Sequence, residues 1–114
     1  MYDLVIVLET KVLKKMHRRI IKSFLDVLVL TELRKNVVSG YDIIGIVHNK
    51  FRILVSSGTV YSLLYSMERE GLIKGKWNQR KRVYMLTEKG EETIKAILNA
   101  NNAIQILVKS LLSY

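Results

Sequence analysis

The side chains between residues 56 and 82 could bind a polyanion. A helical pattern there carries short hydroxyl side chains on the face where Glu and Lys are usual, and the basic run Arg80, Lys81 and Arg82 follows. Hydroxyl, guanidinium and ammonium groups donate hydrogen bonds to phosphate oxygens and base edges. Short side chains also let a helix come close to a DNA groove, whereas the phosphates would repel acidic ones. These residues therefore point to nucleic-acid binding.

The candidate DNA-contacting residues lie on a helix face and on a basic hairpin. Val60, Leu64 and Met67 mark the side of the helix that is predicted to be buried, so the residues opposite them face outward. A simpler interpretation is that the serines and the threonine only cap the helix, and that the tyrosines pack on a neighbouring element. The basic hairpin directly after the helix favours DNA binding. The candidates are Ser56, Ser57, Thr59, Tyr61, Ser62, Tyr65, Arg69, Lys76, Arg80, Lys81 and Arg82.

The residue types needed for catalysis or metal binding are scarce. The chain has no cysteine, which excludes disulfides and thiolate zinc sites. Its two histidines, His17 and His48, have no second ligand at a recognisable spacing. The sequence shows no nucleophile–base pair and no glycine-rich phosphate loop. We therefore expect no enzymatic activity, no metal and no cofactor.

The positive charge is concentrated in two segments. The 114 residues carry a formal net charge of +9; residues 1–37 contribute +4 and residues 72–86 contribute +5, while the rest is neutral. A clustered excess predicts a polyanionic partner, either nucleic acid or an acidic membrane surface. No apolar run approaches the ~20 residues of a membrane span, and no signal peptide is recognisable. We therefore expect a cytoplasmic protein without a membrane partner.

Two serines predict where the central helices begin. A strongly apolar helix is expected over residues 19–35, buried on more than one side. Ser39 and Asp42 form an S-x-x-D capping box that opens a helix over residues 40–50. Ser56 can cap the next helix, which Gly71 ends. The short apolar link between these two helices makes them a helix-turn-helix.

A hairpin and a long helix follow. The runs at 72–77 and 82–87 are short, partly alternating and rich in β-branched and aromatic residues, which predicts a β-hairpin with a basic tip. Thr87 can cap a final helix that continues to about residue 112, since the chain has no proline to break it. The predicted fold class is mainly α with a small β-hairpin. It comprises a winged helix-turn-helix domain over residues 19–90 and a long C-terminal dimerisation helix over residues 87–114.

Residues 1–18 form an N-terminal extension with two open interpretations. Leu4–Leu8 is short, apolar and β-branched, as in a strand. An amphipathic helix through Leu8, Val12 and Met16 is favoured over the strand. Translation could begin at Met1 or at Met16.

Three motifs resemble those of the PadR-like transcriptional regulators, which are winged-helix repressors. GYDI at 40–43 is similar to the G-Y-[DE]-I opening of the family's second helix. SSGTVYSLLYSMEREGLI at 56–73 is similar to its recognition helix, S-P-G-T-x-Y-x-x-L-x-x-L-x-x-x-G-L-I, with Ser57 where the family usually has proline. RVYMLTEKGEE at 82–92 is similar to the Y-x-L-T-x-x-G exit of the family's wing. The resemblance covers about two thirds of the chain.

The resemblance implies a partner and an assembly. A member of this family would form a homodimer, held mainly by the terminal helices, and would bind a promoter operator. Many relatives respond to small ligands, which leaves a small-molecule effector of unknown identity open for this chain.

The last helix offers a candidate dimer seam. Its apolar positions recur at alternating steps of three and four, the heptad pattern of a coiled coil, with an asparagine at one position. A plain amphipathic helix that packs on its own core gives a similar pattern. The breadth of the apolar stripe favours an intermolecular seam. The seam residues are Ile94, Ile97, Asn101, Ile104, Val108 and Leu111.

Two functions are compatible with these patterns. The first is a sequence-specific regulator of transcription, acting as a repressor, whose homodimer binds a palindromic operator in double-stranded DNA. The alternative is a winged-helix protein-interaction module without specific DNA binding, which uses its aromatic third helix as a docking face. The positive charge around the wing favours DNA.

Overall fold

A computed structural model describes residues 10–113, which form six helices and a three-stranded antiparallel sheet. The helices are α1 (Lys11–Ser23), α2 (Leu25–Leu33), α3 (Gly40–Phe51), α4 (Ser57–Arg69), α5 (Glu88–Asn99) and α6 (Asn101–Leu111). The strands are β1 (Val38–Ser39), β2 (Ile73–Asn78) and β3 (Lys81–Leu86). The predicted fold class, a mainly α winged helix-turn-helix, is confirmed. Leu4–Leu8, with its two predicted conformations, lies outside the described residues.

The core lies between helices α2 to α5 and the sheet. Leu25, Val29 and Leu30 of α2 are almost fully buried, as the sequence predicts for this segment. Val60 and Leu64 of α4 belong to the same apolar cluster, and neither has exposed surface. Burial of each such side chain contributes about 1.5–3 kcal/mol. The core that supports the sheet therefore also holds the helix-turn-helix.

The predicted continuous helix over residues 19–35 is wrong, because the chain turns at Phe24. Thr10 caps α1 by accepting a hydrogen bond from the N–H of Leu13 at 3.2 Å, so the predicted boundary at residue 18 falls inside a helix. Phe24 leaves the helical region, with φ −105° and ψ 13°. The two helices have different surroundings, since α2 is enclosed by the core whereas only Ile21 of α1 is buried. The turn lets α1 lie on the surface of the domain.

The predicted uninterrupted C-terminal helix is also wrong, because it is divided at Ala100. Thr87 caps α5 as expected and accepts from the N–H of Gly90 at 3.1 Å. Ala100 has φ −90° and ψ 11°, and α6 begins at the next residue. The lack of proline does not ensure continuity here. Three asparagines surround the break, at 99, 101 and 102, and such side chains compete with a helix for backbone hydrogen bonds.

The sequence does not predict β1, a strand of two residues. Val38 pairs with Tyr84, and Ser39 pairs with Val83, which places β1 at one edge of a sheet with the order β1-β3-β2. Ser39 then caps α3. Its hydroxyl accepts from the N–H of Asp42 at 3.1 Å, and the Asp42 carboxylate accepts from the N–H of Ser39 at 2.9 Å. The predicted capping box is confirmed, whereas two residues are too few to show a strand pattern.

Close backbone contacts join the hairpin to the helices on both sides. Gly71 ends α4 in the left-handed region, with φ 80°. At the start of α5, the Thr87 hydroxyl donates to the Gly71 carbonyl at 2.5 Å. Gly90 packs so closely on the chain that a Cβ there would overlap the carbonyl oxygen of Leu72. These contacts fix the direction in which the hairpin leaves α4.

Candidate nucleic-acid interface

The turn between α3 and α4 is fixed by two buried side chains and one left-handed residue. Arg52 ends α3 with φ 58°, and its N–H donates to the carbonyl of His48. Ile53 and Val55 are buried. Ser56 then caps α4 as predicted, accepting from the N–H of Thr59 at 3.1 Å. The turn therefore sets where α4 begins relative to α3.

The outer face of α4 carries the predicted hydroxyl groups. Ser56 and Ser57 are exposed at its N-terminal end, and the buried stripe lies on the opposite side of the helix. The Ser56 hydroxyl donates to Thr59 Oγ1 at 2.8 Å, which leaves the Thr59 hydroxyl hydrogen for an outside acceptor. The exposed residues along the rest of this face are Gly58, Thr59, Ser62, Tyr65, Ser66 and Arg69. Because most of these side chains are short, the face can approach a groove closely.

The two tyrosines of α4 have different surroundings. Tyr65 is 59% exposed, and the Arg69 guanidinium lies 5.4 Å from the centre of its ring. Tyr61 packs against α3, because a Cβ on Gly40 would lie 2.6 Å from Tyr61 Cε1. Tyr61 therefore helps to set the packing of the two helices, and about half of its surface remains exposed.

The wing is a hairpin with an exposed tip. Asn78 pairs with Lys81, so Gln79 and Arg80 form a two-residue loop, in which Gln79 has φ 59°. Lys76 and Arg80 are exposed. Within residues 10–113, neither of these two cations forms an ion pair. Both are available to an anionic partner.

Arg82 does not lie at the exposed tip, so the prediction of three exposed tip cations is wrong for this residue. Its guanidinium donates to the Glu68 carboxylate of α4 at 2.8 Å. It also lies 5.7 Å from the ring centre of Trp77 and 5.8 Å from that of Tyr84. The N–H of Gly75 donates to the same carboxylate at 3.2 Å. Arg82 and Glu68 therefore link the wing to α4.

Lys81 forms a second link, between the wing and the start of α3. Its ammonium lies 3.3 Å from the Asp42 carboxylate, and about half of its side chain is exposed. A hydrogen bond from the backbone N–H of Ser39 lowers the pKa of the Asp42 carboxyl; the Ser39 side chain and Lys81 add to this effect, and burial opposes it. Asp42 is therefore ionised at neutral pH and holds Lys81 by charge.

The sequence does not predict that Glu68 and Asp42 are the partners of the wing cations. Glu68 lies near the C-terminal end of α4, far from the capped N-terminal end, and Asp42 is explained by its cap alone. The hairpin register offers one signal, since a two-residue loop places Trp77 opposite Arg82, where a cation can lie over an aromatic ring. The contact between Asp42 and Lys81, 39 residues apart, has no signal in the sequence.

The predicted dimer-seam residues do not share one surface. Ile94 is fully buried in the core of its own chain, and Ile97 packs against that core. The prediction is therefore wrong for Ile94, which cannot also face a partner. Asn101 is exposed, and its Oδ1 accepts from Nε2 of Gln105 in the same helix at 2.7 Å. The remaining seam residues, Ile104, Val108 and Leu111, lie on α6.

No group of three or more His, Asp and Glu side chains in residues 10–113 could hold a metal ion. No helix in the same range has the length and apolar character to cross a bilayer.

Comparisons with known proteins point to one family, described as "Transcriptional regulator PadR-like family", which matches residues 29–96. A PadR-like transcriptional regulator from Bacillus cereus is 25% identical, with a TM-score of 0.72 over 84% of this chain and 98% of that one. A PadR family transcriptional regulator from Eggerthella lenta is 22% identical and has the same fold, with a TM-score of 0.76 over 90% and 93% of the two chains. Bacillus subtilis PadR in complex with operator DNA is 27% identical, with a TM-score of 0.59 over 65% of this chain and 46% of that one. No curated protein matches the chain.

Proposed function

Because the chain belongs to the PadR-like family of transcriptional regulators, we propose that it represses transcription by binding an operator in double-stranded DNA as a homodimer. The observation that carries the proposal is the outer face of α4, where short hydroxyl side chains are exposed beside a segment of net charge +5. The complex of the Bacillus subtilis relative with operator DNA supports it.

In this proposal α4 lies in the major groove and reads the bases. An α-helix with its side chains is about 10–12 Å in diameter, which a major groove about 12 Å wide can accommodate. Ser56 and Ser57 contact a phosphate at the N-terminal end, where the helix dipole and free N–H groups favour an anion. Thr59, Ser62 and Arg69 contact base edges. Tyr65 lies between Ser62 and Arg69 on the same exposed face and also points toward the groove.

The wing contacts the phosphate backbone through its free cations. Lys76 and Arg80 supply these contacts, since Lys81 and Arg82 have carboxylate partners within the chain. Long cationic side chains on an exposed loop bind phosphates without reading sequence. Lys81 and Arg82 are therefore assigned mainly to positioning the wing.

The homodimer forms through the terminal helices. α6 has no buried residue in the single chain, and exposed apolar patches of this extent usually mark an interface. Val12, Met16 and Ile20 of α1 are also exposed and give this helix an apolar side that can contact a partner. A two-fold axis would place the two α4 helices one DNA turn apart, about 34 Å, so the operator is palindromic. The proposed face of α6 comprises Ile104, Leu107, Val108, Leu111 and Leu112.

Selection of bound duplexes from a random pool tests this function. We expect a palindromic consensus, and we expect Ser62→Ala to change which bases are tolerated while the melting temperature stays almost the same. Ser113→Ala removes a hydroxyl far along the chain from α4 and serves as the control. Enrichment of no sequence would overturn the proposal in favour of the protein-interaction module. A folded Ser62→Glu variant with full operator affinity would exclude the outer face of α4.

A further inference from the structure

α1 carries a cationic face that has no role in the proposed function. The helix contains six Lys and Arg residues and no carboxylate. Within residues 10–113, none of the six forms an ion pair. At 100° per residue, all six fall within about 140° of the helix circumference. They are Lys11, Lys14, Lys15, Arg18, Arg19 and Lys22.

The rest of α1 is occupied by other contacts. Ile21 is buried in the core, and His17 beside it is half-buried. Val12, Met16 and Ile20 form the apolar side that is assigned to the dimer interface. The cationic face is separate from both sides, so neither the core nor the dimer explains why it has a single sign of charge.

Two hydrogen-bond contacts place α1 beside the turn that leads into α4. The ring nitrogen Nε2 of His17 lies 2.8 Å from the carbonyl oxygen of Phe51, at the end of α3. The Arg18 guanidinium donates to the carbonyl of Leu54 at 3.3 Å. Leu54 is two residues before Ser56, the cap of α4. The cationic face of α1 is therefore continuous with the N-terminal end of the proposed DNA-reading surface.

We propose that the cationic face of α1 binds the phosphate backbone of DNA that flanks the bases read by α4, and so lengthens the bound site. This inference rests on the proposed function. The 13 residues of α1 span about 20 Å, close to the rise of six base pairs. A row of cations without carboxylates matches a row of phosphates, and such contacts add affinity without sequence preference. The family match begins at residue 29, so this surface belongs to the part of the chain outside it.

The first test compares two variants that each lose two cations. Lys15→Gln with Lys22→Gln changes the cationic face and keeps good helix formers. Lys35→Gln with Lys95→Gln removes the same charge from the end of α2 and from α5, and is the control. Each lost phosphate contact should reduce the slope of log K against log salt by about 0.9. The ratio of the wild-type binding constant to that of the α1 variant should then fall about 3.5-fold per lost contact as the salt concentration rises from 50 to 200 mM. The control should keep the wild-type slope.

The second test varies the length of the DNA. The selected operator is compared with the same operator extended by about six base pairs on each side. We expect the wild type and the control to bind the longer duplex more tightly, and the α1 variant, which keeps four of the six cations, to lose part of that gain. A variant that only weakened the dimer would lose affinity for both duplexes alike.

The possible outcomes separate this inference from the proposed function. If α1 variant and control share one slope and one length dependence, the inference is overturned and operator binding stands. If the wild type binds no DNA, both fall. An amphipathic basic helix can also bind anionic lipid. Wild-type co-sedimentation with phosphatidylglycerol vesicles that the α1 variant loses, with DNA binding unchanged, would replace DNA by a membrane as the partner.

Discussion

The guanidinium of Arg82 on β3 donates a hydrogen bond to the carboxylate of Glu68 on α4 at 2.8 Å. The same carboxylate accepts from the N–H of Gly75 on β2 at 3.2 Å, so one side chain of α4 contacts both strands of the wing. In the proposed complex α4 reads bases and the wing binds phosphates, and this link sets the distance between them. A carboxylate beside a DNA-binding surface is unfavourable for binding by its charge alone, which supports a positioning role.

Glu68→Gln should weaken operator binding although it removes a negative charge. The neutral amide holds Arg82 less strongly, and the wing then loses its fixed position on α4. We expect a loss of about fivefold, which corresponds to about 1 kcal/mol for a partly exposed ion pair. Titration of labelled operator measures it, with Glu92→Gln on α5 as the charge-matched control. Tighter binding by Glu68→Gln would instead show that Arg82 is a phosphate contact that Glu68 restrains.

Arg80→Ala should weaken binding to all DNA sequences alike. Arg80 lies at the exposed tip of the wing and has no ion-pair partner within residues 10–113. The loss of one phosphate contact should reduce the salt slope by about 0.9. Lys81→Ala should change the slope less, because Asp42 already neutralises part of its charge. A loss confined to the selected operator would make Arg80 a base reader.

Gly90→Ala should destabilise the domain by about 3 kcal/mol. The new Cβ would overlap the carbonyl oxygen of Leu72, and backbone at the start of β2 cannot move away without breaking the junction. Gly45→Ala is the matched control, since nothing lies within 4 Å of a Cβ there. That change in the interior of α3 should stabilise by about 0.5–1 kcal/mol. Urea unfolding measures both, and equal midpoints would refute the close packing at Gly90.

Asp42→Asn should reduce stability at neutral pH, with an effect that fades in acid. The folded-state pKa of Asp42 lies below its ordinary value of 3.8. Its charged form therefore stabilises the fold above about pH 4, and this contribution is lost as the pH falls through the folded-state pKa. Urea unfolding of wild type and variant between pH 7 and pH 3 measures the difference. A difference that stayed constant over this range would exclude linkage through this carboxyl.

Truncation after Ala100 should give a folded monomer. The core keeps Ile94 and Ile97, whereas the whole of α6 is removed. Because two linked half-sites bind far more tightly than one, affinity for the palindrome should fall by about 10²–10⁴-fold. Sedimentation measures the mass, and a circular dichroism melt confirms the fold. An intact dimer without α6 would place the interface on another element, such as α1.

The elements with a local chemical signal could be predicted from the sequence. Ser39, Ser56 and Thr87 each begin a helix, because a hydroxyl that caps free N–H groups is a property of a few consecutive residues. The helix break at Phe24 could not be predicted in the same way, because Phe24 is compatible with a helix and the burial of the flanking segments differs only in the folded chain. The break at Ala100 has only a weak local signal, the three asparagines around it.

The candidate site shows the same division between local and distant signals. The exposure of Ser62 and Tyr65 follows from the helical period of the buried residues opposite them. Lys81 and Arg82 are held by carboxylates of α3 and α4, which the basic run itself does not reveal. The run suggests three free cations, whereas within residues 10–113 only Arg80 of the three has no ion pair. A charge count gives the sign of a surface, and the fold decides which charges remain available.

The break at Ala100 gives the proposed dimer an adjustable geometry. α5 is about 18 Å long, so a rotation of about 10° at Ala100 would move its far end by about 3 Å. This displacement is close to the rise of one base pair, 3.4 Å. The backbone angles of Ala100 then set the angle between α5 and α6, and this angle sets the spacing of the two half-sites in the proposed dimer. Substitutions around Ala100 should therefore change the preferred spacing of the half-sites without any change in α4.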